Sequence, residues 1–284
     1  MNPLTAGRRR VWWTGADTVA AVGADLDDDV AGTCAEYLAL ADSYEPGLVR
    51  GLYLQGSLAL GDYHPGTSDI DFVAVVSRPP QLRALEAIHA DLRRTRGATF
   101  FDGLYVNEGD LARDPDGLPD GPAVHEWRVD PASRFERNLV TWHVLHQGGT
   151  AVRGPADLDI HTDWPALAEQ TRANLAGYWT GWRARTALGL AGVGEWNTCW
   201  SVLGVARLRH TLAAGRVTSK SEAAGFALET YEERWHRVIR EALRIRRGEG
   251  RSLYRNPVRR HADVVGFMTR VLRSEEAAGT AAEQ

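Results

Sequence analysis

Two aspartates separated by one residue stand directly before a run of apolar residues. Asp69 and Asp71 precede the run 72–76, and an apolar, β-branched run of this kind predicts a buried strand. Side chains two apart on a strand point to the same face, so the two carboxylates should project together while Ile70 and Phe72 face the core. Unpaired charge beside a buried strand is costly. The pattern therefore predicts a site for a hard divalent cation such as Mg²⁺.

A glycine–serine pair upstream in the same segment has the features of a phosphate-binding loop. Gly56 and Ser57 directly follow the predicted strand 49–55. Glycine permits a tight turn, and a short helix beginning there offers free backbone N–H groups to phosphate oxygens. Ser57 and Ser68 add hydroxyl donors. Together with the carboxylate pair, this loop predicts nucleotidyl transfer from a magnesium-bound triphosphate. The alternative is a turn whose acids are solvated.

The elements that must position this loop are mixed at first and then helical throughout. Candidate strands span 49–55, 70–77, 99–106 and 150–155, and the helices among them span 25–43, 81–96 and 135–146. Beyond about residue 160 every candidate element is a helix, at 164–188, 197–214, 219–247 (with a break within it left open) and 261–273. The expected fold is α+β, with a mixed-sheet domain over 25–157, a helical bundle over 160–273 and a disordered tail over 274–284.

The composition narrows the class of protein. The 284 residues are 44% hydrophobic and 25% charged, as in an ordinary globular protein with room for two domains. A net charge of -4 gives no support to a protein that coats nucleic acid, and it suits a cationic partner. Cys34 and Cys199 form no disulfide framework, so we expect the reducing cytoplasm. No stretch has the pattern of a signal peptide or a membrane span.

Two parts of the chain resemble known proteins. Residues 56–57 and 68–72 resemble the signature of the DNA polymerase β-type nucleotidyltransferase superfamily. The segment 207–224, with 153–155 upstream, resembles the streptomycin/spectinomycin adenylyltransferases, and the similarity spans roughly residues 30–270. The resemblance implies a polymerase β-like domain followed by a helical domain. It also implies Mg²⁺-dependent transfer of AMP from ATP to an aminoglycoside hydroxyl, with release of pyrophosphate. The alternative is a regulatory or degenerate homologue that binds nucleotide or modifies a protein or RNA.

The resemblance implies a third catalytic carboxylate beside Asp69 and Asp71. That family uses an acid on a neighbouring strand as the base for the acceptor hydroxyl, and the matching residue is Asp102, where the family carries Glu. An acid among Phe and Leu should have the raised pKa that a general base needs, whereas a nearby metal would lower that pKa. The shorter side chain leaves a third metal ligand open as a role. A solvated acid at the end of a strand is the remaining alternative.

Lys220 is the only lysine of the chain. The sequence Ser-Lys-Ser-Glu over 219–222 is a capping box, which places this lysine in the first turn of a helix, against the positive end of the dipole. A cation there is understandable if an anion docks at the helix start, and the matching lysine of the resembling family contacts the ATP phosphates. A surface lysine is the alternative. In the basic run 244–247 we expect Arg246 to reach the triphosphate and the rest to form a solvated helix face.

The expected partners are ATP and a small cationic acceptor, with no nucleic acid or membrane, and the expected oligomeric state is a monomer. Trp127 matches an acceptor-binding Trp of the family and is expected to stack on a sugar or a cation. Asn197 falls where the family has an acceptor-binding Asp, and Leu188 and Val193 fall where the streptomycin-specific Trp and Asp would lie. Either Glu195 and Trp196 replace these contacts from neighbouring positions, or the acceptor is a different molecule. The candidate acceptor contacts are Trp127, Glu195, Trp196 and Asn197.

Overall fold

A computed structural model describes residues 26–189 and 194–282 of the chain. Its first half is built on one six-stranded sheet in the order β5-β4-β3-β2-β1-β6. The strands are β1 (Val49–Leu54), β2 (Ile70–Val76), β3 (Phe101–Asn107), β4 (Gly121–His125), β5 (Arg128–Ser133) and β6 (Thr150–Arg153). Strands β2 and β3 pair in parallel, and the other neighbouring pairs are antiparallel. The predicted mixed sheet is confirmed.

Helices accompany the sheet and then make up the second half of the chain. The first four are α1 (Asp28–Tyr44), α2 (Gly56–Ala59), α3 (Leu82–Arg96) and α4 (Leu139–Gly148). The second half contains α5 (Trp164–Asn174), a π-helical turn (Leu175–Trp179), α6 (Thr180–Leu188), α7 (Glu195–Ala214), α8 (Lys220–Thr230), α9 (His236–Arg247) and α10 (Pro257–Ala282). The α+β architecture with a helical second half is confirmed.

Alternation along β2 gives the sheet two buried faces. Ile70 and Phe72 are fully buried in a core shared with α1 and α3, as predicted. Val73 and Val75 lie on the opposite face, in a core that includes Trp142 of α4. Asp71 belongs to this second set by its position in the strand. The sheet therefore directs its aspartate toward the face that carries α4.

Two parts of the first half differ from the prediction. The segment after β3, predicted as a polar loop, contains the hairpin β4–β5, whose strands include Gly121, Pro122 and Pro131 and lack a clear apolar alternation. Helix α4 begins after the N-cap Asn138 rather than at residue 135. The break left open within 219–247 does occur, between α8 and α9.

The last helix continues into the segment that the sequence predicts as a disordered tail. Helix α10 runs to Ala282, so residues 274–282 are helical. Alanine and glutamate in this segment are strong helix formers, which accounts for the continuation. No helix in the ranges 26–189 and 194–282 combines the length and the apolar character needed to cross a membrane.

Candidate active site

The parallel pairing of β2 and β3 brings two of the predicted acids together. Asp71 and Asp102 are direct partners in the register, so their side chains leave the same face of the sheet at the same level. Asp102 is 3% exposed, whereas Asp69, just before β2, is exposed. Together these three residues form what we call the acidic cluster.

The Gly-Ser turn lies directly against Asp71. Gly56 has a φ of +60°, and a Cβ built on it would overlap the Asp71 carboxylate. The backbone N–H of Ser57 donates a hydrogen bond to that carboxylate, and the N–H of Gln55 donates to the Asp71 carbonyl at 2.9 Å. Only glycine fits this close approach. As predicted, a short helix, α2, begins at this turn.

Burial and mutual repulsion disfavour the ionised forms of the acidic cluster. Burial, followed by the charges of Asp69 and Asp102, raises the pKa of Asp71 to about 7, and Lys220 opposes this shift. Desolvation also raises the pKa of Asp69, against Lys220 and His125. Carboxylates in this state favour a cationic neighbour.

A fourth acid, which the sequence prediction missed, lies close to the cluster. Glu136 accepts a hydrogen bond from Gln55 Nε2 at 2.6 Å, while Gln55 Oε1 accepts from the N–H of Gly56 at 2.7 Å. Burial raises the pKa of Glu136 well above its usual range, and the charges of Asp71 and Asp102 raise it further. Its φ of 55° falls outside the helical region, in a segment predicted as helix. No local pattern could have indicated it.

Protein donors hold both carboxylate oxygens of Asp102. His125 Nδ1 lies 3.0 Å from Oδ2, and the N–H of Glu126 donates to Oδ1 at 3.0 Å. Glu126 and Trp127 form the two-residue turn between β4 and β5, with φ values of 49° and 65°. Such φ values are those of a type I′ turn, in which non-glycine residues are uncommon. Burial raises the pKa of Asp102, while Glu126 and His125 lower it.

Cations from the helical half face the acidic cluster. The capping box at 219–222 is confirmed, and Lys220 is the first residue of α8. Burial lowers the pKa of Lys220 to about 8, and Arg207 and Arg246 lower it further, against Asp71. The ammonium lies 5.5 Å from the ring centroid of Trp200. Arg207 of α7 has a pKa lowered by burial, and it makes no ion pair with any residue that the structure describes.

The predicted triphosphate contact Arg246 is bound to another residue of the chain. Its Nε donates to Asp62 Oδ2 at 3.3 Å and its Nη2 donates to the Asp62 carbonyl at 2.8 Å. Asp62 Oδ2 also accepts from the N–H of Ser221 at 3.1 Å, and Oδ1 lies 3.0 Å from His64 Nε2. The anion at the start of α8 is thus the chain's own carboxylate. Ser68, expected to donate to phosphate, is buried and accepts from the His64 N–H at 3.0 Å.

The structure separates the four candidate acceptor residues. Trp127 is 9% exposed and packs in the core with α1 and α3, so its ring is not open for the predicted stacking. Asn197 is buried, and its Oδ1 accepts from the hydroxyl of Ser201 at 3.3 Å. Trp196 is 66% exposed and stacks on Trp200, with ring centroids 5.6 Å apart and planes 8° apart.

The remaining acceptor candidate is engaged in ion pairs. Glu195 pairs with Arg244 and, at 3.5 Å, with Arg260. Leu188 is 91% exposed. Val193 lies outside the described residues. Of the predicted acceptor contacts, Trp196 therefore has the most accessible side chain.

The donor set of the acidic cluster fits magnesium in its chemistry. Among residues 26–189 and 194–282, no group of three or more His, Cys, Asp or Glu side chains is arranged to hold a metal ion. Mg²⁺, however, usually takes only one or two protein carboxylates and completes its shell with water and phosphate oxygens. Asp69 and Asp71 meet that need, and their raised pKa values indicate charge that a cation would neutralise. Asp102, whose oxygens already accept hydrogen bonds, is the poorer ligand.

A buried hydroxyl group lies beside this site without a partner. Ser57 Oγ forms no hydrogen bond with any group that the structure describes. Buried polar groups are normally satisfied, so a bound ligand is a reasonable source of the missing bond. Ser57 directly follows Gly56, so this hydroxyl lies at the Gly-Ser turn.

Comparisons with known proteins agree with this architecture. Residues 39–100 match the family model "Nucleotidyltransferase domain", and residues 178–272 match "Aminoglycoside adenylyltransferase, C-terminal domain". The solved structure of spectinomycin adenyltransferase AAD(9) from Enterococcus faecialis with ATP and spectinomycin is 14% identical, with a TM-score of 0.64. The match covers 85% of this chain and 98% of that one, and it shows a shared fold. No curated protein matches the chain by sequence.

Proposed function

Because the chain belongs to the aminoglycoside adenylyltransferase family, we propose that it transfers AMP from ATP to a hydroxyl of an aminoglycoside such as streptomycin or spectinomycin. The observation that carries the proposal is the opposition of charge at one site: the acidic cluster on the sheet faces Lys220 on α8, and each side shifts the pKa of the other. Nucleotidyl transfer needs carboxylates that bind a metal ion and a cation that binds the phosphates, on opposite sides of one site. The similar solved structure was determined with ATP and spectinomycin.

The nucleotide side of the proposed site combines the Gly-Ser turn with the start of α8. Gly56 lets the backbone approach a phosphate closely, and the hydroxyl of Ser57 has no partner within the described residues. Lys220 and Arg207 supply positive charge for the triphosphate. Arg246 is bound to Asp62 and is therefore proposed to support these residues rather than to contact the triphosphate.

Asp69 and Asp71 are the residues proposed to hold Mg²⁺, in agreement with their positions at the start of β2 and their raised pKa values. When bound, the ion would neutralise phosphate charge and favour displacement at phosphorus. The bound ion would also offset the repulsion between the two carboxylates.

Asp102 is proposed as the general base. The acceptor oxygen forms a bond to the α-phosphorus of ATP as the bond from that phosphorus to the bridging oxygen breaks, and pyrophosphate leaves. The proton of the acceptor hydroxyl passes to the Asp102 carboxylate. Hydrogen bonds from His125 and the Glu126 N–H fix the orientation of that carboxylate. This favours the base over the metal-ligand alternative.

The acceptor is proposed to bind near the exposed ring of Trp196, which offers a flat face to a sugar or a cation. The negative charge of the acidic cluster attracts a polycation. Asn197 is buried and hydrogen-bonded within α7, so it is proposed to support this surface rather than to contact the acceptor. A monomer is the proposed active unit.

Incubating the protein with ATP, Mg²⁺ and a panel of aminoglycosides tests the proposal, with pyrophosphate release followed for each acceptor. We expect release that depends on one or a few acceptors, together with an acceptor product heavier by one AMP group. ATP binding with no acceptor-dependent release across the panel would contradict the proposed acceptor class. Absence of ATP binding would contradict nucleotidyl transfer itself.

A further inference from the structure

One acid at the junction of the two halves has no part in the proposed chemistry. Asp62 lies between α2 and β2, ahead of the acidic cluster, and is 5% exposed. Its carboxylate binds the N–H of Ser221, the guanidinium of Arg246 and the ring of His64. An ionised group so deeply buried is costly unless it is paired and hydrogen-bonded, and here it has three partners.

These bonds connect the loop that precedes the acidic cluster to two helices of the second half. Asp62 contacts α8 through Ser221 and α9 through Arg246. Thr67, in the same loop, donates its hydroxyl hydrogen to the Arg246 carbonyl at 2.7 Å. The residue next to Ser221 in the first turn of α8 is Lys220. Any movement of this contact therefore moves the lysine relative to the acids.

We propose that Asp62 is a positioning residue for the nucleotide site: it fixes the first turn of α8 against the loop before β2 and so presents Lys220 to the triphosphate. This inference rests on the proposed function. The carboxylate satisfies a free N–H group in the first turn of α8 and complements the positive end of its dipole. Asp62, from the first half of the chain, thus caps the start of α8. Its hydrogen bond fixes the position of this turn, and its charge complements the helix dipole.

Asp62 also limits the repulsion among the cations of the junction. Lys220 lies near Arg207 and Arg246, which both lower its pKa, while Cys199 and Asp71 act in the opposite direction. Because Asp62 pairs with Arg246, it offsets one of these charges. Loss of that pairing would leave a buried arginine without its carboxylate beside the lysine.

The test is a double-mutant cycle on ATP affinity. Asp62→Asn keeps the size of the side chain and removes its charge. We expect it to weaken ATP binding about tenfold, the loss of one charge-assisted contact. The double variant Asp62→Asn/Lys220→Ala should bind ATP as weakly as Lys220→Ala alone, since Asp62 acts through Lys220.

Gln147→Ala is the matched control. Gln147 of α4 also joins the two halves, with two hydrogen bonds to the backbone of Val217 at 3.0 and 3.1 Å, three residues before Lys220. Its loss removes bonds across the junction without removing charge or touching the first turn of α8. ATP affinity should be unchanged in this variant even if its melting temperature falls.

Three results would overturn the proposal: an unchanged ATP affinity in folded Asp62→Asn, losses that add in the double variant, or an equal loss in Gln147→Ala. If Asp62→Asn does not fold, Thr67→Val removes the neighbouring bond to Arg246 and should weaken ATP binding about threefold, again only when Lys220 is present. Unchanged affinity there would also overturn the proposal. Failure of the wild-type protein to bind ATP would instead refute the proposed function, before any variant is compared.

Discussion

Asp71 occupies an unfavourable position for a charge. It touches the Gly56 backbone, pairs in register with Asp102 and lies two residues from Asp69. Its pKa of about 7 is raised by burial and then by the two neighbouring carboxylates. A bound cation would therefore stabilise the ionised form of this carboxylate.

Replacing Asp69 or Asp71 by Asn should reduce transfer by orders of magnitude, because the variant loses a proposed metal ligand. Asp71→Asn should also stabilise ligand-free protein by roughly 1–2 kcal/mol at about pH 8. The folded state binds the Asp71 proton more tightly than the unfolded state does. Its ionisation thus costs stability above a pH of about 7, and the cost shrinks toward the unfolded pKa of about 4.

Melting curves in the presence of a chelator, at several pH values, measure this effect. The gain in melting temperature should be largest at the highest pH and disappear in acid. Near-normal turnover in Asp71→Asn, or destabilisation at every pH, would contradict the assignment of Asp71.

Asp102→Asn should lower kcat far more than it weakens ATP binding, because proton removal counts only in the transition state. The expected loss in kcat is about 10²–10⁴-fold. Kinetics at saturating ATP and an independent ATP titration separate the two effects. If ATP affinity falls as far as kcat does, Asp102 is better described as a metal ligand.

Local signals account for the site residues that could be predicted from the sequence. Asp69, Asp71 and the Gly-Ser turn stand within one short segment, and Lys220 stands in a recognisable capping box. Glu136 and His125 gave no such signal, because they reach the site only through a loop before α4 and a hairpin. Contacts between distant segments are set by tertiary packing, which no short sequence pattern contains.

At the scale of elements, a buried hydrogen-bond chain joins three parts of the first half. Tyr37 of α1 donates to the Tyr105 hydroxyl of β3 at 3.0 Å, and His89 of α3 lies 2.7 Å from the same oxygen. Burial lowers the pKa of His89 to about 3. The imidazole is therefore neutral in the folded protein at pH values where it is charged in the unfolded chain.

Stability should fall as the pH drops below about 6.5, the unfolded pKa of histidine, and this contribution should be lost progressively down to about pH 3. The slope due to His89 is up to about 1.4 kcal/mol per pH unit, because the unfolded state binds a proton that the folded state does not. Urea unfolding at a series of pH values measures it.

His89→Gln is the control, since an amide can still bond to Tyr105 but does not titrate. The difference in free energy of unfolding between the two proteins isolates His89 from the other histidines. Parallel pH profiles for the two proteins would contradict a buried neutral imidazole.

Elements with strong periodicity were predicted and those with weak periodicity were missed. The apolar β2 and the helical second half have the expected patterns, whereas β5 is largely exposed and contains Pro131. Its strand character comes from pairing with β4, which follows from the turn at Glu126–Trp127. Two non-glycine residues with positive φ gave no indication of a hairpin turn in the sequence.

At the scale of the whole molecule, the site is completed only where the two halves meet. The sheet supplies the acidic cluster and the helical half supplies Lys220 and Arg207. The bonds of Asp62 and Gln147 hold the halves together at this junction. ATP bound there would contact both, so nucleotide affinity should depend on residues of each half.

Lys220→Ala should weaken ATP binding by about 1.5–3 kcal/mol, the value of a charge-assisted contact. Ligand-free protein should be no less stable, because the variant removes a buried cation at the positive end of a helix dipole. Lys220→Arg should restore only part of the affinity, since a planar guanidinium does not replace a compact ammonium. Nucleotide titrations and melting curves of the three proteins measure both effects. Wild-type ATP affinity in Lys220→Ala would remove this lysine from the site.

The single lysine also has a consequence for amine chemistry. No other side chain of the protein carries a primary amine, and a pKa of about 8 leaves much of this one unprotonated at mildly alkaline pH. An acylating reagent should therefore label one side chain, along with the α-amino group. If ATP occupies the junction, it should protect that lysine, and the mass of one peptide becomes a direct record of occupancy. Because Lys220 is the only lysine of this chain, acetylation of a lysine or attachment of ubiquitin to a lysine can occur only at the start of α8.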